Sequence, residues 1–160
     1  MEFEIVPAYD KKEEIKELFG EYTKMLVEGD SRFSEYLVIQ NYDEEVEHPE
    51  KKYGPPGGRL YLAYADSQVA GCIGLRRLDD ENCEIKRLYV KPEYRKNGLG
   101  KKLIDRIISD AKEVGYRHIL LDTLPFLKTA LKIYESYGFY EIDCYNNSPL
   151  DTTIYLRLDL

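Results

Sequence analysis

Apolar positions recur every three to four residues in KKEEIKELFGEYTKMLVEG, residues 11 to 29. Ile15, Leu18, Phe19, Tyr22, Met25 and Leu26 fall on one face of a helix that Gly29 can close. Ahead of it, FEIV reads as a short first strand. FSEYLVIQNYDEEVEH, residues 33 to 48, reads as a second helix or a helix plus loop, and GPPGG at 54 to 58 breaks regular structure. RLYLAYA, SQVAGCIGLRRL and NCEIKRLYV then form three strands joined by the turn-like DS and DDEN, a meander. After Val90 the period changes: helix LGKKLIDRIISDAKEVG, strand RHILLDT, helix PFLKTALKIYESYG, and strands FYEIDCY and TTIYLRLDL. A meander followed by β-α-β-α-β-β predicts an α/β (α+β mixed sheet) fold, one sheet layered by helices, as a single domain over residues 1 to 160.

Composition narrows the function classes. At 160 residues, 43% hydrophobic and 33% charged, the chain has the size of one ordinary soluble domain. No apolar run approaches the roughly 20 residues that span a bilayer, and the start MEFEIVPAYDKKEE is acidic where a signal peptide is basic and then apolar. These features predict a cytoplasmic protein with no membrane partner. A net charge of -7 argues against a nucleic-acid grip and favours a cationic partner. Cys72, Cys83 and Cys144 lie in apolar strand-like stretches without CxxC spacing, so they are expected to be buried, inert thiols. His48 and His118 are far apart in sequence, which leaves little from which to build a metal site.

The chemistry concentrates in YVKPEYRKNGLGKKLIDRI, residues 89 to 107. The strand ends at Val90, Lys91-Pro92 stops it, and Leu99 opens a helix with Leu99, Leu103, Ile107 and Ile108 on one face. First-turn amides lack intrahelical partners and carry partial positive charge, so an anion is favoured there. Gly98 and Gly100 remove Cβ atoms from the approach, while Arg95, Lys96, Lys101 and Lys102 put positive charge where a helix without an anionic guest prefers Asp or Glu. The alternative is a tight loop with a solvated basic rim. A P-loop needs Ser or Thr after Gly-Lys, and here Lys102 follows Lys101. A dinucleotide fingerprint needs a third glycine at 103, where Leu103 stands, although Asp122 imitates its ribose-binding acid.

RKNGLG, Arg95 to Gly100, resembles the R/Q-x-x-G-x-G/A motif of the GNAT (GCN5-related N-acetyltransferase) superfamily. ALKIYESYGF, Ala130 to Phe139, is similar to that family's second signature, and the likeness covers essentially the whole chain. The resemblance implies acetyl-CoA as acetyl donor, bound between two splayed parallel strands without a metal. It places pantetheine along Leu88, Tyr89 and Val90, and the diphosphate on the loop of Arg95, Lys96, Asn97, Gly98, Leu99, Gly100 and Lys101. It also implies a bulge in the preceding strand, which leaves backbone groups free for the cofactor. Tyr134 matches the position of the tyrosine that serves as general acid, against a core role in the stripe Leu127, Ala130, Leu131, Tyr134. Glu84 resembles the glutamate that serves as base in histone-acetylating members, with Asp122, Tyr89 or a water chain as substitutes. Leu127 departs from the family pattern, in which many members have Asn.

For the acceptor, the density of Arg76, Arg77, Lys86 and Arg87 on adjacent strands implies either structural pairing with Glu84 or Asp122, or a pocket for a carboxylate-bearing acceptor such as an amino acid. YDEEVEH reads as a wet helix face or a lure for a basic acceptor. KKYGPPGGR is placed as a lid near the acetyl group, and the tail as a source of Tyr145 and Asn147. The implied function is N-acetyl transfer to a primary amine of a small molecule, amino acid or peptide, with a homodimer compatible with the superfamily. The alternative is a GNAT-shaped acyl-CoA sensor or scaffold without turnover.

Overall fold

A computed structural model describes all 160 residues. Strands β1 (Phe3–Pro7), β2 (Arg59–Ala65), β3 (Gln68–Arg77), β4 (Asn82–Val90), β5 (His118–Thr123), β6 (Tyr140–Ile142) and β7 (Ile154–Asp159) form one sheet in the order β1-β2-β3-β4-β5-β7-β6. Every neighbouring pair is antiparallel except β4 and β5. The helices are α1 (Lys12–Gly29), α2 (Phe33–Ile39), α3 (Tyr42–Glu47), α4 (Pro49–Tyr53), α5 (Leu99–Val114) and α6 (Lys128–Tyr137). None is long and apolar enough to cross a membrane.

Period-2 alternation divides the core between the two faces of the sheet. Tyr61 and Ala63 of β2 join Ile73, Leu75 and Ile85 in a cluster with the α5 stripe Leu99, Leu103, Ile104 and Ile107. Leu60 and Leu62, one residue out of phase, join Ile15, Leu18 and Phe19 of α1 in the second cluster. A third, smaller cluster of Leu26, Phe33, Tyr36, Leu124 and Leu150 ties α1 and α2 to the chain after β5.

Two local irregularities shape the site. β4 and β5 are paired only over Asn82–Glu84 against His118–Leu120, so the two strands part from Ile85 onward. On its other edge β4 carries a bulge: Cys72 faces Tyr89 and Gly74 faces Lys86, leaving Ile73 opposite both Arg87 and Leu88. Arg87 sits in the left-handed region at φ 60, a conformation that costs a non-glycine residue roughly 1 kcal/mol or more.

Several sequence expectations shift. The 33 to 48 stretch splits at Asn41, which has φ 56, into α2 and α3, and Pro49 starts the additional α4. α6 begins at Lys128 rather than Pro125. The strand expected over 139 to 145 stops at Ile142, and the chain beyond it is organised by side chains: Ser148 N donates to Asn146 Oδ1 at 3.2 Å and Leu150 N to Ser148 Oγ at 3.3 Å. Cys72 and Cys83 are buried, and burial pushes the Cys83 thiol up to about 12. Cys144 is exposed, contrary to expectation, because it lies beyond the shortened strand.

Candidate active site

After Val90 the chain makes a 3-10 turn at Pro92–Tyr94, takes left-handed geometry at Lys96 (φ 67) and Gly98 (φ 81), and enters α5. None of the backbone N–H groups from Lys96 to Lys101 donates to another group of the chain; Lys102 N is the first to bond back, to Gly98 O at 3.1 Å. No acidic residue occupies the first turn of α5. A Cβ built on Gly98 would meet nothing within 4 Å, and one on Gly100 only Ile133 Cδ1 at 3.8 Å, so no neighbouring side chain crowds either glycine. Unpaired donors beside uncrowded glycines suit a diphosphate. Asn97 supports the loop from behind, its Nδ2 donating to the carbonyls of Tyr94 at 3.3 Å and Arg95 at 3.0 Å. Arg95 is held by its Nε donating to Val90 O at 2.8 Å, with the guanidinium 5.6 Å from the Tyr89 ring centroid.

From this crown a cleft of about 820 Å³ runs down the fork between β4 and β5. Leu88, Tyr89, Val90, Arg95 and Lys96 line it, as do Gly98, Leu99, Gly100 and Lys101. The Asn97 side chain does not, since it is turned into the loop. In the fork, the free edge of β4 from Ile85 onward and the free end of β5 offer backbone groups to an extended amide-bearing chain. Leu127 of the α6 cap contributes only apolar surface.

Tyr134 lines the cleft from α6 and is 6% exposed. Its ring packs against Phe139 at a centroid distance of 5.5 Å, and its hydroxyl makes no hydrogen bond within the chain. Burial first, then the neighbouring Tyr22 and Asp122, push its pKa far above the ordinary tyrosine value, so it is a protonated donor at any working pH.

Glu84 stands elsewhere than the sequence suggests. It is 2% exposed, does not line the cleft, and accepts from Arg76 Nε at 2.8 Å and from the Tyr145 hydroxyl at 2.5 Å. The carboxylate that does line the cleft is Asp122. Its Oδ2 accepts from the Tyr36 hydroxyl and from Asn146 Nδ2 at 2.8 Å, and Lys86 Nζ lies 4.0 Å from Oδ1. Burial acts to raise this carboxyl, but Lys86 and the two hydrogen bonds outweigh it and hold Asp122 below the ordinary aspartate value.

Arg87 is buried against Glu45 of α3, with Nε to Oε2 at 2.7 Å and Nη2 to Oε1 at 3.0 Å. Glu45 also accepts from Lys52 Nζ at 2.7 Å and from the Tyr53 hydroxyl at 2.8 Å. The residue read as part of a wet acidic face is thus only 3% exposed. A signal for it was present, since four cations on adjacent strands require more acids than Glu84 and Asp122 supply. Tyr36 and Gln40, which line the cleft, were also missed; of the tail, neither Tyr145 nor Asn147 lines it, and Asn146 reaches the site only by donating to Asp122. The proposed lid is displaced: no residue from Lys51 to Arg59 lines the cleft, and Gly57 O accepts from the Tyr116 hydroxyl at 2.7 Å, just beyond the C-terminal end of α5.

The model of the acetyltransferase (GNAT) family matches residues 15–139. The chain is 39% identical over 140 residues to an uncharacterized N-acetyltransferase of Schizosaccharomyces pombe, which covers 86% of each chain. Among solved structures it resembles the PaiA N-acetyltransferase of Thermoplasma acidophilum in complex with coenzyme A, with a TM-score of 0.79, 22% identity and all of both chains covered. It also resembles a GNAT family acetyltransferase of Elizabethkingia anophelis with acetyl-CoA bound, with a TM-score of 0.56, 28% identity, and 65% of this chain and 77% of the other covered. With the unpaired amide crown, the forked strands and both signature segments at one cleft, the chain belongs to the acetyltransferase (GNAT) family and is an acetyl-CoA-dependent N-acetyltransferase.

Proposed function

We propose that the chain moves the acetyl group of acetyl-CoA to a primary amine of a small molecule or peptide by direct attack within a ternary complex. Six consecutive unpaired amides, Lys96 to Lys101, at the mouth of a cleft that reaches Tyr134 carry this reading. Bound acetyl-CoA supplies an activated thioester. In this assignment, the amides of the loop, assisted by Arg95, Lys96 and Lys101, hold the diphosphate, and the free edge of β4 at Leu88, Tyr89 and Val90 orients the pantetheine arm.

Tyr134 is the general acid for the departing sulfur. Its hydroxyl finds no partner in the protein, and the raised pKa makes it a weak acid that donates only as negative charge develops on the sulfur, while the proton that the attacking nitrogen sheds on forming the amide leaves to water. Asp122 holds and orients the incoming amine. Its depressed pKa makes it a weak base, so the acceptor ammonium loses its proton to water before attack. Glu84, engaged by Arg76 and Tyr145, acts only in positioning these neighbours.

Acceptor-dependent thiol release from acetyl-CoA over an amine panel tests the reaction: thermal stabilisation by acetyl-CoA without such release would reduce the protein to a binding module. With an accepted amine, kcat/KM should climb tenfold per pH unit up to the amine's own pKa. A plateau beginning near pH 5 would instead identify a carboxylate base and return Glu84 to consideration.

A further inference from the structure

Three polar atoms at the end of the cleft away from the amide crown are without a hydrogen-bond partner. Gln40 Oε1 accepts from Arg87 Nη2 at 2.9 Å; an arginine only donates, so this bond fixes the amide orientation and turns Nε2 away from it. Gln40 Nε2 is buried and has no hydrogen-bond partner, although a buried amide N–H left unpaired is costly. Lys86, only 7% exposed, donates no hydrogen bond: its Nζ lies 4.0 Å from Asp122 Oδ1 and 5.8 Å from the Tyr36 ring centroid. Asp122 Oδ1 accepts none, since Tyr36 and Asn146 both bond Oδ2. Gln40, Lys86 and Asp122 all line the cleft.

Lys86 Nζ and Gln40 Nε2, donors without partners, call for a carboxylate, and Asp122 Oδ1, an acceptor without one, calls for an amino group beside it, so the ligand carries both.

We propose that the acceptor is a free amino acid, its carboxylate bound by Lys86 Nζ and Gln40 Nε2 and its amino group by Asp122 Oδ1. The 4.0 Å between Asp122 Oδ1 and Lys86 Nζ leaves the two ends of the ligand only a short span, as in an α- or β-amino acid rather than one with remote charges. Peptide N-termini offer these donors only a neutral carbonyl oxygen in place of the anion, and simple amines offer nothing. This inference rests on the acetyl-transfer reading and names its substrate class.

The test is calorimetric titration into the protein saturated with CoA, so that binding is read independently of turnover. The probes are leucine, methionine, phenylalanine and arginine, each compared with its carboxamide and its decarboxylated amine. At least one amino acid should bind roughly 10- to 100-fold more tightly than both counterparts, the effect of one or two hydrogen bonds to a charged group. Lys86→Met should erase that preference, leaving amino acid and amine within a few-fold of one another, and Gln40→Leu should reduce it. The wild-type comparison stands even where a variant fails to fold. Equal or tighter binding of the amines, or no binding by any probe, overturns the amino-acid assignment while leaving acetyl-CoA binding and thiol release intact. Absence of CoA binding would overturn the acetyl-transfer reading first.

Discussion

At the scale of single residues, the cleft depends on side chains whose polar atoms are left without partners. Tyr134 is the clearest case, a buried phenol surrounded by apolar neighbours with a hydroxyl that bonds nothing in the chain. Tyr134→Phe should lower kcat about 100-fold, the lower end of what a positioned general acid contributes, with the Kd for acetyl-CoA unchanged. Rapid-quench kinetics beside equilibrium binding separates the two effects, and unchanged turnover would remove the acid role. Gly98 carries a different constraint. At φ 81 with open space around its missing Cβ, Gly98→Ala meets no clash, so its cost is the left-handed backbone alone, about 1 to 2 kcal/mol. Thermal denaturation should show a Tm lower by several degrees, and acetyl-CoA should bind more weakly as the loop amides lose alignment.

At the scale of elements, the fork is a property of β4 and its supports. The strand leaves β5 after Glu84 and bulges at Arg87 and Leu88, and the bulged residue is the one whose guanidinium is anchored by Glu45. The ion pair therefore connects a strained backbone in the sheet to the short helices above it, and the strained conformation persists because buried contacts hold it. Glu45→Ala strands Arg87 and Lys52 without their carboxylate. Unfolding in urea should reveal a loss of about 3 to 5 kcal/mol, the cost of breaking a buried pair, and a loss under 1 kcal/mol would show that the pair does not hold the bulge. The element pattern was largely legible along the chain, because β2 to β4 and α5 have clean periods and Pro and Gly punctuation. The bulge was anticipated only through the family likeness. Its anchor was not, because helix face and sheet interior meet across 42 residues of sequence, and a run of acids has the same periodicity whether water or arginine faces it.

At the scale of the whole molecule, the buried carboxylates make stability depend on acid pH. Burial acts to raise Glu45, but Arg87 and Lys52 outweigh it and bring its pKa down to about 2 from an ordinary value of 4.5, and Asp122 is also lowered. Folded-state values below the unfolded ones mean that these groups contribute stability above about pH 4.5, and that it is lost as pH falls toward 2. Tm measured from pH 7 down should stay nearly level to about pH 5 and then fall steeply. Glu45→Gln should start lower and fall less steeply, and parallel curves for the two proteins would deny Glu45 this role. The amino-acid sequence by itself determined the fold class and marked the loop of Arg95 to Lys101 as an anion-favouring helix entry, because these depend on local periods and on glycines and charges within a few residues of one another, while acetyl transfer was legible only through the likeness of RKNGLG and ALKIYESYGF to the family signatures. Only the tertiary structure decided which carboxylate faces the cleft. Glu84 and Asp122 are equally plausible as residue types, and the choice rests on long-range partners, Arg76 and Tyr145 for one and Tyr36, Asn146 and Lys86 for the other, brought together from separate parts of the chain.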